Sequence, residues 1–313
     1  MGLALPAAAL ADTTWPGALV MGTGRPGGDY MLYGPGWGRL IRQETGVGIA
    51  YRASGGAEAN ILLIDEDEAQ LGLTSMVVAI QASMGNAAWT AGVQFRSFRA
   101  LFTTYPSILQ IVSPRGTGIT ALAALAGQDI GVGPAGSSGA ATVQEILRSV
   151  GVTPHNAATG DFEDQVSAML AGRLAACAFI GAPPVPAIAQ AAMGRTLSLI
   201  GFSGAEALQV ARALPGMLPI VLEAGVFPGQ KTPVASVGTA NIAICSASLP
   251  DALANAVTKA ALRDRTVLAA LVPAASIPPD ISAVTEAGIY FHPGAAAALR
   301  DAGVKVPKAF IQP

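Results

Sequence analysis

Apolar runs short enough for single strands alternate, through the first third of the chain, with longer segments whose apolar residues recur at helical spacing. Residues 18–21 read as a strand and 29–44 as a helix. The pair repeats at 48–53 and 57–64, and again at 69–73 followed by a helix from Met76. Two strands, 98–104 and 108–113, flank Tyr105-Pro106, where a proline without an N–H should break the ladder. A second series follows: strand 129–132, helix 139–150, helix 162–171, strand 175–180, helix 185–193 and strand 197–201. Residues 234–245 read as one long extended segment and 249–262 as a helix. Strands alternating with helices over short links predict a parallel sheet covered on both faces. Two such series predict an α/β chain of two lobes, joined by extended crossings near 105–113 and 234–245.

Composition narrows the possibilities. A chain of 313 residues is long enough for two domains. Hydrophobic residues make up 51%, much of it alanine, yet no uninterrupted apolar stretch approaches the ~18 residues that suggest a membrane span. With 12% charged residues, a formal net charge of −2 and no basic stripe, nucleic acid is excluded as an expected partner. Asp65-Glu66-Asp67-Glu68 reads as a solvated helix end rather than a pair of catalytic carboxylates. The opening segment GLALPAAALA, residues 2–11, closes on Ala9-Leu10-Ala11 like the end of a secretory signal peptide cleaved after Ala11, although a basic stretch before it is missing. Export is therefore expected. Cys177 and Cys245 lie in apolar strand-like runs and read as buried thiols rather than a disulfide. His155 and His292 each stand alone, so no metal site is expected.

Four clusters of glycine and hydroxyl residues sit where a strand-like run meets a helix-like run: Gly22-Thr23-Gly24 to Gly27-Gly28, Ser54-Gly55-Gly56, Thr74-Ser75, and Gly136-Ser137-Ser138-Gly139. Unpaired N–H donors and the helix dipole make each helix start a potential anion cradle. In an open α/β sheet such turns lie at the carboxyl ends of strands, where ligands bind. Each hydroxyl taken singly is more simply an N-cap, a reading compatible with a place at the ligand. Gly22, Gly24 and Gly27 reproduce the G-x-G-x-x-G spacing of a dinucleotide turn, but the acidic ribose partner is missing, so no nicotinamide cofactor is expected. Gly136 to Gly139 lacks the order of a nucleophile elbow, and no base–nucleophile pair is evident. The pattern points to binding of a small anion, without a cofactor, rather than to catalysis.

Segments MGTGRPGGDYMLYG, RASGGAEANILLI, AQLGLTSMVVA, TTYPSILQIVS, IGVGPAGSSGAAT, AFIGAPPVPAI, SVGTANIAI and YFHPGAAAALRDAG, in that order, resemble the TAXI-type solute-binding proteins of tripartite ATP-independent periplasmic (TRAP) transporters. The resemblance spans almost the whole chain. It implies a type II, clamp-like periplasmic binding fold with two crossing hinge segments. Beyond residues 1–11, one lobe would comprise 12–108 with 237–313 and the other 109–236. It also implies a soluble periplasmic monomer that captures a small organic anion (a dicarboxylate, 2-oxo acid or glutamate-like molecule) and delivers it to a TRAP permease. Matched by motif, Thr23, Gly24 and Tyr30, Ser54 and Gly55, Thr74 and Ser75, and Tyr105 would come from the first lobe and hinge. Ser137, Ser138, Gly139 and Gly181 would face them. Arg25 would either clamp a ligand carboxylate or stand solvated at the rim. Thr74 and Met76 occupy positions where the family usually has a glutamine and an acidic residue, which leans away from an aminated ligand. His292-Pro293 reads as a structural helix start. Two other functions remain compatible with the chain: a ligand sensor for a membrane signalling partner, and a hydrolase or transferase on the same architecture.

Overall fold

A computed structural model describes residues 15–278 and 280–312, so the leader proposed at 1–11 lies outside the described residues. The chain runs β1 (Ala18–Gly22), α1 (Asp29–Thr45), β2 (Gly48–Arg52), α2 (Ala57–Asp65), β3 (Leu71–Ser75), α3 (Met76–Met84) and the long β4 (Phe98–Pro114). Then come β5 (Asp129–Gly131), α4 (Ser138–Ser149), β6 (Asn156–Ala158), α5 (Phe162–Leu170), β7 (Ala176–Gly181), α6 (Pro186–Gly194) and β8 (Leu197–Leu199). After α7 (Gly204–Ala213) and β9 (Leu218–Leu222), a second long strand, β10 (Val234–Ser246), returns the chain to its first half. It closes with α8 (Asp251–Arg263), α9 (Arg265–Leu271), α10 (Ser282–Glu286) and α11 (Pro293–Asp301).

Strand order explains the two lobes. It is β2-β1-β3-β10-β4-β7-β5-β6, with β8 added on β4 and β9 on β10. β2, β1 and β3 are parallel, and β10 runs antiparallel to both β3 and β4. The far half of β4 pairs antiparallel with β7, while β5 is parallel to β7 and β6. β4 and β10 therefore belong to both halves of the sheet. Their outer ends pair with different neighbours: residues 241–245 of β10 with β3, and residues 234–238 with β9.

Each half has its own apolar interior. Leu19, Trp37, Ile61, Leu71, Phe102, Leu253 and Phe291 belong to one core. Within it α1 buries Tyr33, Trp37, Leu40 and Ile41, the one-sided spacing of an amphipathic helix. Trp37 donates from Nε1 to the Val257 carbonyl at 2.9 Å and meets Phe102 edge to face. In the other half Ile130, Val143, Ile146 and Val210 form a second core, and Val166, Phe179, Ile188 and Phe227 a third. Among the described residues, no helix is long and apolar enough to cross a membrane.

The strand break expected at Tyr105-Pro106 is absent: β4 is continuous through it. Pairing with β10 shifts between Ala240 and Ile242, so Thr104 and Tyr105 together oppose the single residue Asn241. Proline is tolerated beside such a bulge because the ladder is already interrupted there. The strand expected at 69–73 is displaced to Leu71–Ser75, which places Thr74 and Ser75 at its end. His292 caps α11 by accepting from the Gly294 N–H at 3.2 Å, with Pro293 in the first helical turn. Cys177 and Cys245 are buried thiols in β7 and β10. Burial pushes Cys177 up to about 12 and Cys245 further, so neither supplies thiolate near neutral pH.

Candidate functional site

The site begins with the turns that follow β1 and β2. A side chain at Gly22 would lie 2.5 Å from Asn60 Oδ1, so this position must be bare. Asn60, fully buried on α2, donates from Nδ2 to the carbonyls of Thr23 (2.8 Å) and Leu73 (2.7 Å) and accepts from the Ser54 hydroxyl at 2.7 Å. One side chain thus ties the turns after β1 and β2 to strand β3. Gly56, at φ +105°, starts α2 in a conformation that favours glycine.

A cavity of about 120 Å³ lies between the two halves. From the first half its wall takes Gly24, Arg25, Gly28, Asp29, Tyr30, Gly55, Gly56, Ala57 and Ser75. From the second it takes Pro134, Ser137, Ser138, Gly139, Thr142, Phe162 and Ile180, and the shared strands supply Ser107, Thr239 and Asn241. The starts of α1, α2, α4 and α5 are all represented, so several helix N-termini converge on one small space. Ser75 and Ser137 cap α3 and α4 through their hydroxyls. Gly28 and Gly56 offer no side-chain cap to α1 and α2.

The two halves touch directly around this space. Ser138 N–H donates to the Gly55 carbonyl at 3.1 Å, and Ser138 Oγ accepts from the Glu58 N–H at 3.0 Å. A residue of the second half therefore caps a helix of the first. Burial, then the charge of Glu145, raises Glu58 above the usual carboxylate range. Gln81 on α3 approaches Glu145 on α4 at 3.5 Å. On the other side of the cavity Asp29 Oδ2 accepts from the Ala182 N–H at 2.6 Å. Burial pushes Asp29 up to about 6, with the bond from Ala182 acting in the opposite sense. Where β4 and β10 shift register, Asn241 fills the bulge, donating to the Tyr105 carbonyl (2.9 Å) and Ser107 hydroxyl (2.8 Å) while accepting from the Tyr30 phenol (2.6 Å). Burial, and then the charge of Asp29, holds the Tyr30 phenol in its neutral donor form.

Of the residues singled out from sequence, Gly24, Arg25, Tyr30, Gly55, Ser75, Ser137, Ser138 and Gly139 meet at the cavity wall. Arg25 is exposed at its edge and makes no hydrogen bond or ion pair among the described residues; its Nη2 lies 3.4 Å from where a Cβ on Gly136 would stand. The other five sit behind the wall. Thr23 Oγ1 donates to the Arg52 carbonyl at 3.0 Å and Thr74 Oγ1 to the Ala57 carbonyl at 3.2 Å. Ser54 braces the turn through Thr23 and Asn60. Tyr105 is buried against Tyr33 at a ring distance of 5.2 Å. Gly181 leaves space for Asp29, whose Oδ2 would be 2.8 Å from a Cβ there.

Asp29 and Asn241 escaped the sequence reading. Asp29 follows a glycine pair at a helix start, where an acid is ordinary, and Asn241 interrupts an apolar strand. The second was the more visible, since a lone amide in an otherwise apolar run requires partners once buried. Asp29 lines the cavity from the start of α1, whereas Met76 is buried in the core and is not among the lining residues.

Residues 21–303 match the NMT1-like family. Solved structures share the fold at low identity. The periplasmic binding protein BugD is 12% identical, with 93% of this chain and 99% of that one aligned at a TM-score of 0.55. PhnD1 from Prochlorococcus marinus, in complex with methylphosphonate, is 9% identical, covering 88% and 98% at 0.54. A structure described as a periplasmic transporter is 15% identical, covering 82% and 87% at 0.52. The architecture is that of the two-lobed periplasmic binding proteins.

Proposed function

The chain belongs to the NMT1-like family, and from that premise we propose that it is an extracytoplasmic substrate-binding receptor that closes on a small organic anion and hands it to a membrane permease. The observation that carries this reading is the convergence of helix starts from both lobes on one small cavity. Backbone N–H groups and helix dipoles bind an anion without a dedicated side chain. Histidine chemistry is remote from it: His155 is exposed beside Asp129 and His292 is a buried helix cap. The site is read as binding without turnover.

Within this reading the ligand is a short carboxylate, namely a dicarboxylate, 2-oxo acid or glutamate-like molecule, and the recipient a TRAP permease, as the resemblance to TAXI receptors suggests. The lobes are 12–108 with 237–313, and 109–236, in a periplasmic monomer. β4 and β10, with the bulge at Asn241, form the hinge about which ligand favours the closed form. Native mass spectrometry of the purified protein, calorimetry with short carboxylates and solution scattering test the proposal. The expected result is stoichiometric binding with compaction and no chemical change in the ligand. Product accumulation, or an unchanged envelope at saturating ligand, would count against it.

A further inference from the structure

Among the described residues, two acidic or basic side chains line the cavity, those of Arg25 and Asp29. They stand four positions apart in the chain, yet among the described residues no ion pair joins them. Arg25 is at the exposed edge, whereas Asp29 is set inside between the lobes. Asp29 Oδ2 is engaged with the Ala182 N–H, while Oδ1 has no hydrogen-bond partner among the described residues. Nearby, the buried Tyr105 hydroxyl feels the charge of Asp29 and also lacks a partner. A desolvated carboxylate without a counter-charge is unfavourable, and Arg25, the one cation among the described lining residues, has its guanidinium beside Gly136.

Such a wall complements a dipolar molecule. We propose that Asp29 is the specificity-determining residue of the site and that it selects an aminated carboxylate: the ligand's ammonium meets Asp29 while its carboxylate meets Arg25 and the helix starts. The inference rests on the receptor reading above and names which member of its ligand class the cavity takes. A second carboxylate placed at Asp29 would instead set like charges together in a small cavity. The residue that reads the amino group thus lies on α1, and the methionine at position 76 is no bar to an aminated ligand.

Matched ligands differing at one carbon decide the matter. Calorimetry at neutral pH compares glutamate with 2-hydroxyglutarate, 2-oxoglutarate and glutarate, and aspartate with malate and succinate. In the native protein the amino acid should bind about tenfold or more tighter than its partners, as a charge-assisted hydrogen bond provides. Asp29→Asn keeps an oxygen able to accept from Ala182 and should reduce that preference to about twofold or less, with the ligand-free melting temperature as a check on folding. The inference is overturned if the oxo, hydroxy or unsubstituted acid binds as well as the amino acid, or if folded Asp29→Asn retains the preference. If none of these acids binds the native protein, the carboxylate-receptor reading fails first and this inference with it.

Discussion

Replacing Ser138 with alanine isolates one bond that exists only when the lobes meet. Ser138 Oγ accepts from the Glu58 N–H across the cleft, while the Ser138 N–H to Gly55 contact uses backbone alone and survives the change. Losing an N-cap hydroxyl typically costs about 1 kcal/mol, with a range of about 0.5–2. In an open form, water satisfies the Glu58 N–H, so the loss falls on the closed form. A deficit of about 1 kcal/mol weakens ligand binding about fivefold, and about 2 kcal/mol about thirtyfold. Stopped-flow measurement should place the change in dissociation, since the bond is absent before closure. Calorimetry supplies the affinity, and thermal unfolding of the ligand-free protein serves as the control. Affinity within twofold of the native value would refute the reasoning. So would a ligand-free melting temperature lowered by several degrees, because the hydroxyl would then stabilise its own lobe rather than closure.

Gly55→Ala should weaken binding more than Ser138→Ala, since its Cβ would stand 2.8 Å from the Gly136 carbonyl of the opposite lobe; scattering should find the variant extended even with ligand, and normal compaction would contradict this. Arg25→Ala should lower affinity by about tenfold or more and flatten its salt dependence, without changing the melting temperature, because charge-assisted hydrogen bonds contribute about 1.5–3 kcal/mol. Closure of the ligand-free protein should be pH dependent. Asp29 is raised from 3.8 to about 6 in the closed form, so closing takes up a proton between those values. The contribution of Asp29 to the closed form is present below about pH 4 and lost as pH rises through about 6. Scattering across that window should show progressive opening in the native protein and no Asp29-dependent change in Asp29→Asn; parallel pH profiles would exclude Asp29 as the source.

Local pattern was enough to locate most elements in the first half, because strands such as 18–21 and 48–53 are short, apolar and followed at once by glycine or serine. Ser137 was legible for the same reason: a hydroxyl before a helix is a cap whatever lies around it. The continuity of β4 through Pro106 was not legible, because it depends on a register shift set by β10, far along the chain. Thr23 and Thr74 resembled Ser75 and Ser137 in sequence, yet the fold turns their hydroxyls onto carbonyls behind the wall. Asp29 lay beyond reach because its partner, Ala182, arrives from the other lobe. Motif and periodicity thus located the helix starts, while charge placement and hinge geometry depended on contacts distant in sequence. The segment holding α7 and β9, and the small helices α9 and α10, carried no comparable pattern, whereas His292-Pro293 marked the start of α11.

β4 and β10 lie side by side, so the stretch of chain between them leaves and re-enters at neighbouring points. Topologically it is a cassette hung from a hairpin-like stem. Its removal would leave two strand ends already in register, needing only a short turn to join them. Its replacement by another cassette would leave α1, α2 and their glycine turns in place. Ligand preference could therefore diversify by recombination at two adjacent junctions, with one half of the wall retained as inheritance and the other exchanged whole.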